Sequence, residues 1–167
     1  MVTGAMAMAI YSIPRMTRDI DLIIDILPAN VEKLVQLFAD DCYIDEESVR
    51  DAVCERDMFN IIHNQWIVKA DFIIRKDEVY RLKKFTRRQK VNIEGTDIFV
   101  VTPEDLILLK LVWSKDFQSA LQLRDVRQML DDILTLDLKY VEQWAITLGV
   151  EKLLKKVKEN ERYEQKY

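Results

Sequence analysis

Glycine and proline are scarce in this 167-residue chain, three of each, which leaves no room for long linkers or disordered stretches. Cysteine is rarer still. Cys42 and Cys54 stand apart, without zinc-ligand spacing, and read as buried or idle thiols of a reducing cytoplasm. His63 is the single histidine and has no nucleophile beside it in any motif, so it reads as a structural or surface residue. No apolar stretch reaches bilayer length and no basic-then-apolar leader is present, so a cytoplasmic chain without a membrane partner is expected. Nor is there an excess of positive charge. Lys and Arg number 25 against 29 Asp and Glu, and the net charge of −4 provides no global field for nucleic acid.

Hydrophobic residues make up 49% of the chain and charged residues 32%, enough core for one domain with a helical appendage. Residues 4–11 (GAMAMAIY) read as a short helix opening at Gly4. A loop carrying Arg15, Thr17 and Arg18 leads into an apolar strand over 19–26. Helical spacing of Val31, Leu34, Val35 and Phe38 predicts a helix over 28–40, and a weaker, charged helix is expected over 45–55. Two β-rich runs, 58–63 and 66–74, flank Asn64-Gln65 as a tight hairpin; 91–93 and 96–101 flank Glu94-Gly95 as another. Residues 77–90 are basic and helical at first. Thr102-Pro103 is a strong helix start, and the rest reads as helices over 103–113, 119–134, 138–148 and 150–160. The order predicts a mixed α/β core, residues 1–101, and a C-terminal helical region, 102–167, packed as one unit.

Asp19-Ile20-Asp21 opens the first strand. Alternation puts both carboxylates on one face and Ile20 and Leu22 on the other. Two carboxylates on a half-buried strand repel and each is costly to desolvate, unless a hard cation such as Mg²⁺ lies between them. Spacing alone decides nothing: chance allows about five acidic-x-acidic triplets. The chain has four, of which only this one sits in an apolar strand. A metal site and an acidic strand entrance both remain open. Asp71, inside Val68–Ile73, is a second charged residue on an apolar strand. It is either a water-facing or ion-paired Asp, with Lys69 or Arg75 as partner, or the third carboxylate of a metal cage.

Gly4-Ala5, the spacing to Asp19-Ile20-Asp21, and a later strand aspartate resemble the signature of the nucleotidyltransferase-fold (DNA polymerase beta-like) superfamily. Residues 13–21 (IPRMTRDID), Thr102-Pro-Glu-Asp-Leu106, Lys110-Leu111 and Arg124-Asp125-Val126 are similar to small prokaryotic nucleotidyltransferases near the AbiEii/AbiGii toxins. The resemblance implies a nucleotidyltransferase fold, a mixed sheet flanked by helices plus a C-terminal helical bundle. It implies Mg²⁺ or Mn²⁺, two ions with nucleoside triphosphate bound, held by Asp19, Asp21 and Asp71. The helix start at Gly4-Ala5, with Arg15, Thr17, Arg18 and Lys110, is then expected to bind the triphosphate. The implied reaction moves a nucleoside monophosphate to a hydroxyl of an RNA, protein or small-molecule acceptor, in a toxin-like or defence role with an antitoxin partner. The family's second Gly or Ser is Ala5 here, and only three residues precede Gly4, so one edge of the site is expected to be missing or rebuilt. A second class stays open: an inactive nucleotidyltransferase-fold module that binds nucleotide or another protein.

Outside that signature, Lys110 on an apolar helix also reads as a snorkelling lysine, and Arg124-Asp125 as an exposed pair. The basic run 81–90, interleaved with Phe85, is either a solvated helix face or an RNA phosphate contact. Trp66, Trp113 and Trp144 are expected in the core.

Overall fold

Strand after strand in the front half alternates side chains that suit a two-faced sheet, and the computed structural model assembles them into one. It describes residues 1–17 and 19–164, with side chains through 159; Arg18 lies outside the described residues. Seven strands form the sheet: β1 (Val2–Thr3), β2 (Asp19–Ile24), β3 (Cys42–Tyr43), β4 (Met58–His63), β5 (Lys69–Ile74), β6 (Gln89–Ile93) and β7 (Thr96–Val100). Their order is β3-β4-β5-β2-β1-β7-β6. β2 runs parallel to β5, and β1 parallel to β7; the other pairs are antiparallel. β1 and β3, two residues each, are too short to carry a readable pattern.

The chain divides into two compact units, residues 1–6 with 15–101, and residues 7–14 with 102–167. In the first, α2 (Val31–Phe38) and α3 (Glu46–Glu55) cover one sheet face. Pro28–Asn30 is a 3-10 turn ahead of α2 rather than its first turn, since proline fixes the backbone without donating a hydrogen bond. Asp45 caps α3, accepting from the Ser48 backbone N–H at 2.9 Å. Val31, Val49, Val53, Phe59, Ile61, Phe72 and Ile74 form the core beneath them. Phe72 stacks on Phe59 at 5.0 Å and meets Phe38 edge-on at 5.7 Å. Burying each such side chain stabilises by about 1.5–3 kcal/mol.

The Glu94-Gly95 hairpin forms as expected, with both residues at positive φ, 48° and 83°. The other hairpin does not turn on two residues. The His63 N–H donates to the Val68 carbonyl at 2.9 Å, so the loop spans 64–67. The His63 side chain explains the difference. Its Nδ1 accepts from the N–H groups of Gln65 and Trp66 at 3.2 and 3.3 Å, while its ring stacks on Trp66. Trp66 and Trp113 are exposed rather than in the core. The basic run is not a solvated face throughout either. On α4 (Val79–Thr86) Lys84 is buried, and beyond it the Arg88 guanidinium lies 4.4 Å from the Phe85 ring and 4.8 Å from the Phe99 ring.

Helix α1 (Gly4–Tyr11) begins in the first unit and continues into the second. The second unit is otherwise α5 (Pro103–Phe117), α6 (Ala120–Asp132), α7 (Leu138–Thr147) and α8 (Glu151–Glu164). Thr102 caps α5 through the Asp105 N–H, and α5 runs past Trp113 to a left-handed stop at Gln118. Leu106, Ile107, Leu108 and Leu111 are buried on α5, against which α6, α7 and α8 pack. Within that unit Tyr140 and Thr102 both donate to the Asp105 carboxylate at 2.8 Å, and Asp132 accepts from Ser12 and from the Ile13 N–H. Among the described residues no helix is long and apolar enough to cross a membrane.

Candidate functional site

Register, not proximity in sequence, assembles the site. β2 and β5 pair so that Asp19 lies beside Lys69 and Asp21 beside Asp71. Cross-strand partners share a face, so Asp19, Asp21, Lys69 and Asp71 all point away from the Phe59–Phe72 core. Asn60 of β4 lies opposite Asp71, and Thr3 of β1 opposite Asp21. The carboxylates of Asp21 and Asp71 thus project from adjacent strands about 5 Å apart. Like charges on neighbouring strands of one face repel unless a cation lies near them.

Lys69 relieves that repulsion. Its Nζ lies 2.9 Å from both oxygens of Asp71, with the directed hydrogen bond going to Oδ2. The Asp71 hydrogen bond holds the Lys69 ammonium above the usual lysine range; burial opposes this, and attraction from Asp71, Asp19 and Asp21 adds to it. Asp71 itself is 8% exposed, and its Oδ1 is shielded from solvent without a hydrogen bond. Of the two partners weighed for Asp71, the structure selects Lys69. Arg75 pairs with Asp25 and Asp77 instead.

Gly4 meets the same face. It adopts φ +64°, and a Cβ built there would stand 1.8 Å from Asp21 Oδ2 and 3.0 Å from Asp21 Cβ. Only glycine lets the helix start come this close to the carboxylate. Ala5 follows, buried at 4% exposure. Thr17 acts on the strand entrance: its Oγ1 accepts from the Asp19 N–H and donates to the Asp19 carbonyl, both at 3.3 Å. Arg15 lies partly buried on the segment before β2, and Arg18 falls outside the described residues.

Lys110 and Asp125 belong to the helical unit, on α5 and α6. Neither has the surface position that the sequence suggests. Lys110 Nζ lies 2.5 Å from Asp125 Oδ2 and donates to Gln122 at 3.1 Å, with side chains only 3% and 5% exposed. Asp125 is therefore a buried partner rather than half of an exposed pair, because α6 turns it, with Val126 and Met129, inward.

Two observations bear on whether the three carboxylates suit a divalent ion. Their chemistry does: three anionic oxygen donors share one face. Their spacing, with Lys69 on Asp71, leaves them apart. Among the described residues no three His, Cys, Asp or Glu side chains are gathered closely enough to hold a metal. Lys69 is the residue that sequence reasoning underweighted, although its two-residue offset from Asp71 already placed both on one face.

No family model and no curated protein matches the sequence. Among solved structures, the fold is similar to that of an antigenic nucleotidyltransferase-like protein from Paracoccidioides brasiliensis, with a TM-score of 0.53 and 17% identity. The match covers 78% of this chain and 66% of that one, so this chain spans slightly under two thirds of its length. At such identity the likeness is one of fold. The mixed seven-stranded sheet with its helices is a nucleotidyltransferase-like fold.

Proposed function

We propose that the chain is a metal-dependent nucleotidyltransferase that passes a nucleoside monophosphate from a nucleoside triphosphate to a hydroxyl, with release of pyrophosphate. The observation that carries this reading is the approach of the Gly4 backbone to Asp21, which joins a helix N-terminus to an in-register carboxylate pair. Asp19, Asp21 and Asp71 would hold Mg²⁺ or Mn²⁺, which supplies charge neutralisation for the triphosphate and a lowered pKa for the attacking hydroxyl. The first N–H groups of α1 bind phosphate oxygens, and Arg15 and Arg18 add charge-assisted bonds. Thr17 fixes Asp19 through its backbone. Asp71 takes the proton of the acceptor hydroxyl. Lys110 stays outside the phosphate-binding set, since its ammonium is committed to Asp125 and Gln122.

The acceptor is an RNA, a protein or a small molecule. The resemblance of residues 13–21 to the AbiEii/AbiGii group supports reading the activity as part of a toxin or defence pair with an antitoxin partner. One observation favours a second reading, an inactive module: Lys69 pairs with Asp71 without metal. Incubation with each α-labelled nucleoside triphosphate, Mg²⁺ and total cellular RNA or protein separates the two. Transfer of label that Asp19→Asn abolishes supports the enzyme. Label that never transfers, or transfers equally with Asp19→Asn, rules it out.

A further inference from the structure

Lys69 and Lys110 each pair with an aspartate, yet the two pairs differ in what can move. The Lys110–Asp125 side chains are 3% and 5% exposed, so that ammonium has nowhere to go. The Lys69 side chain is 39% exposed against 12% for Asp71, and a flexible four-carbon stem carries its charge. Lys69 can swing into water while Asp71 cannot. Among the described residues, Lys69 is thus a mobile cation on this anionic face, its ammonium 2.9 Å from both oxygens of Asp71. A divalent ion and an ammonium serve the same need: each offsets part of the repulsion among Asp19, Asp21 and Asp71.

We propose that Lys69 is a resident cation of this site, paired with Asp71 in the absence of metal and competing with a divalent ion for that carboxylate. This rests on reading the carboxylates as a metal site. It adds a built-in threshold, because metal must displace the ammonium before the three ligands can gather on it. The lysine tail freed by that exchange remains tethered two residues from Asp71, on the same face.

The test is Mn²⁺ titration of the full chain at fixed ionic strength, followed by loss of the free-ion paramagnetic resonance signal, for wild type, Lys69→Met and Lys69→Gln. Both variants should bind Mn²⁺ at least about tenfold more tightly than wild type, equivalent to about 1.4 kcal/mol. Both should melt at lower temperature than wild type without metal and recover when Mn²⁺ is saturating. If Lys69→Met folds only with Mn²⁺, that rescue supports the proposal directly. Equal or weaker Mn²⁺ binding by both variants overturns it, as does absence of binding in all three proteins. Wild-type binding lost in Asp71→Asn but unaltered by the Lys69 changes would leave the metal site standing and remove only the competition. Tighter binding by the Lys69 variants without any nucleotide transfer would do the reverse.

Discussion

Replacing Gly4 by Ala tests how tightly the helix start is fitted to the carboxylate face. Two costs add. An L-residue at φ +64° costs about 1–2 kcal/mol. The new methyl would stand 1.8 Å from Asp21 Oδ2, 2.7 Å from Cγ and 3.0 Å from Cβ, so rotating the carboxylate aside is not sufficient and the strand or helix must give. Such overpacking costs about 1–3 kcal/mol. Together they give about 3 kcal/mol, or a melting temperature lower by roughly 6–12 °C for a chain of this size. Gly95→Ala is the internal control. Its φ is +83° but no atom lies within 4 Å of the added Cβ, so only strain remains, about 1 kcal/mol and roughly 2–4 °C. Thermal melts followed by circular dichroism compare the two directly. Equal shifts for Gly4→Ala and Gly95→Ala would refute the close approach at Asp21.

Three further outcomes follow from the packing. Asp125→Ala, which strands the buried Lys110 ammonium, should cost about 3–5 kcal/mol in urea unfolding, whereas Lys110→Met combined with Asp125→Leu should restore most of it; a loss under 1 kcal/mol for the single change would contradict a buried pair. Burial, followed by the charge of Glu104, pushes the Tyr11 hydroxyl up to about 12. The unfolded chain therefore releases this proton first as pH rises above 10. Tyr11 contributes stability that is intact below pH 10 and lost toward 12, and Tyr11→Phe should flatten the alkaline fall in urea-unfolding stability. His63→Phe keeps the ring stacked on Trp66 but removes the acceptor for two backbone N–H groups, so it should cost about 1 kcal/mol and speed amide exchange in the 63–68 loop; unchanged exchange there would contradict the capping role.

Period-two alternation was sufficient to place Asp19, Asp21 and Asp71 on strand faces, and turn chemistry located the Glu94-Gly95 hairpin. What alternation cannot supply is which strands become neighbours. The pairing of Asp21 with Asp71 joins residues fifty positions apart and depends on β4 and β5 folding back as a unit. Lys69 was visible as a neighbour of Asp71, but the attraction it feels from Asp19 and Asp21 depends on that register. Burial of Asp125 was illegible for another reason. A charged residue on an amphipathic helix reads as solvent-facing until its partner, Lys110, is found on a different helix. Trp66 was misplaced because an aromatic residue reads as core, while a histidine three residues earlier holds it on a surface turn.

The central claim is that the face bearing Asp19, Asp21 and Asp71 binds a metal–triphosphate complex. Isothermal titration of the full chain with a nucleoside triphosphate, with and without Mg²⁺, measures this most directly. The account predicts binding that requires Mg²⁺ and weakens at least about tenfold in Asp71→Asn, close to the 1.4 kcal/mol or more expected for losing one charged ligand. Binding without metal, or of equal strength in Asp71→Asn, would contradict it.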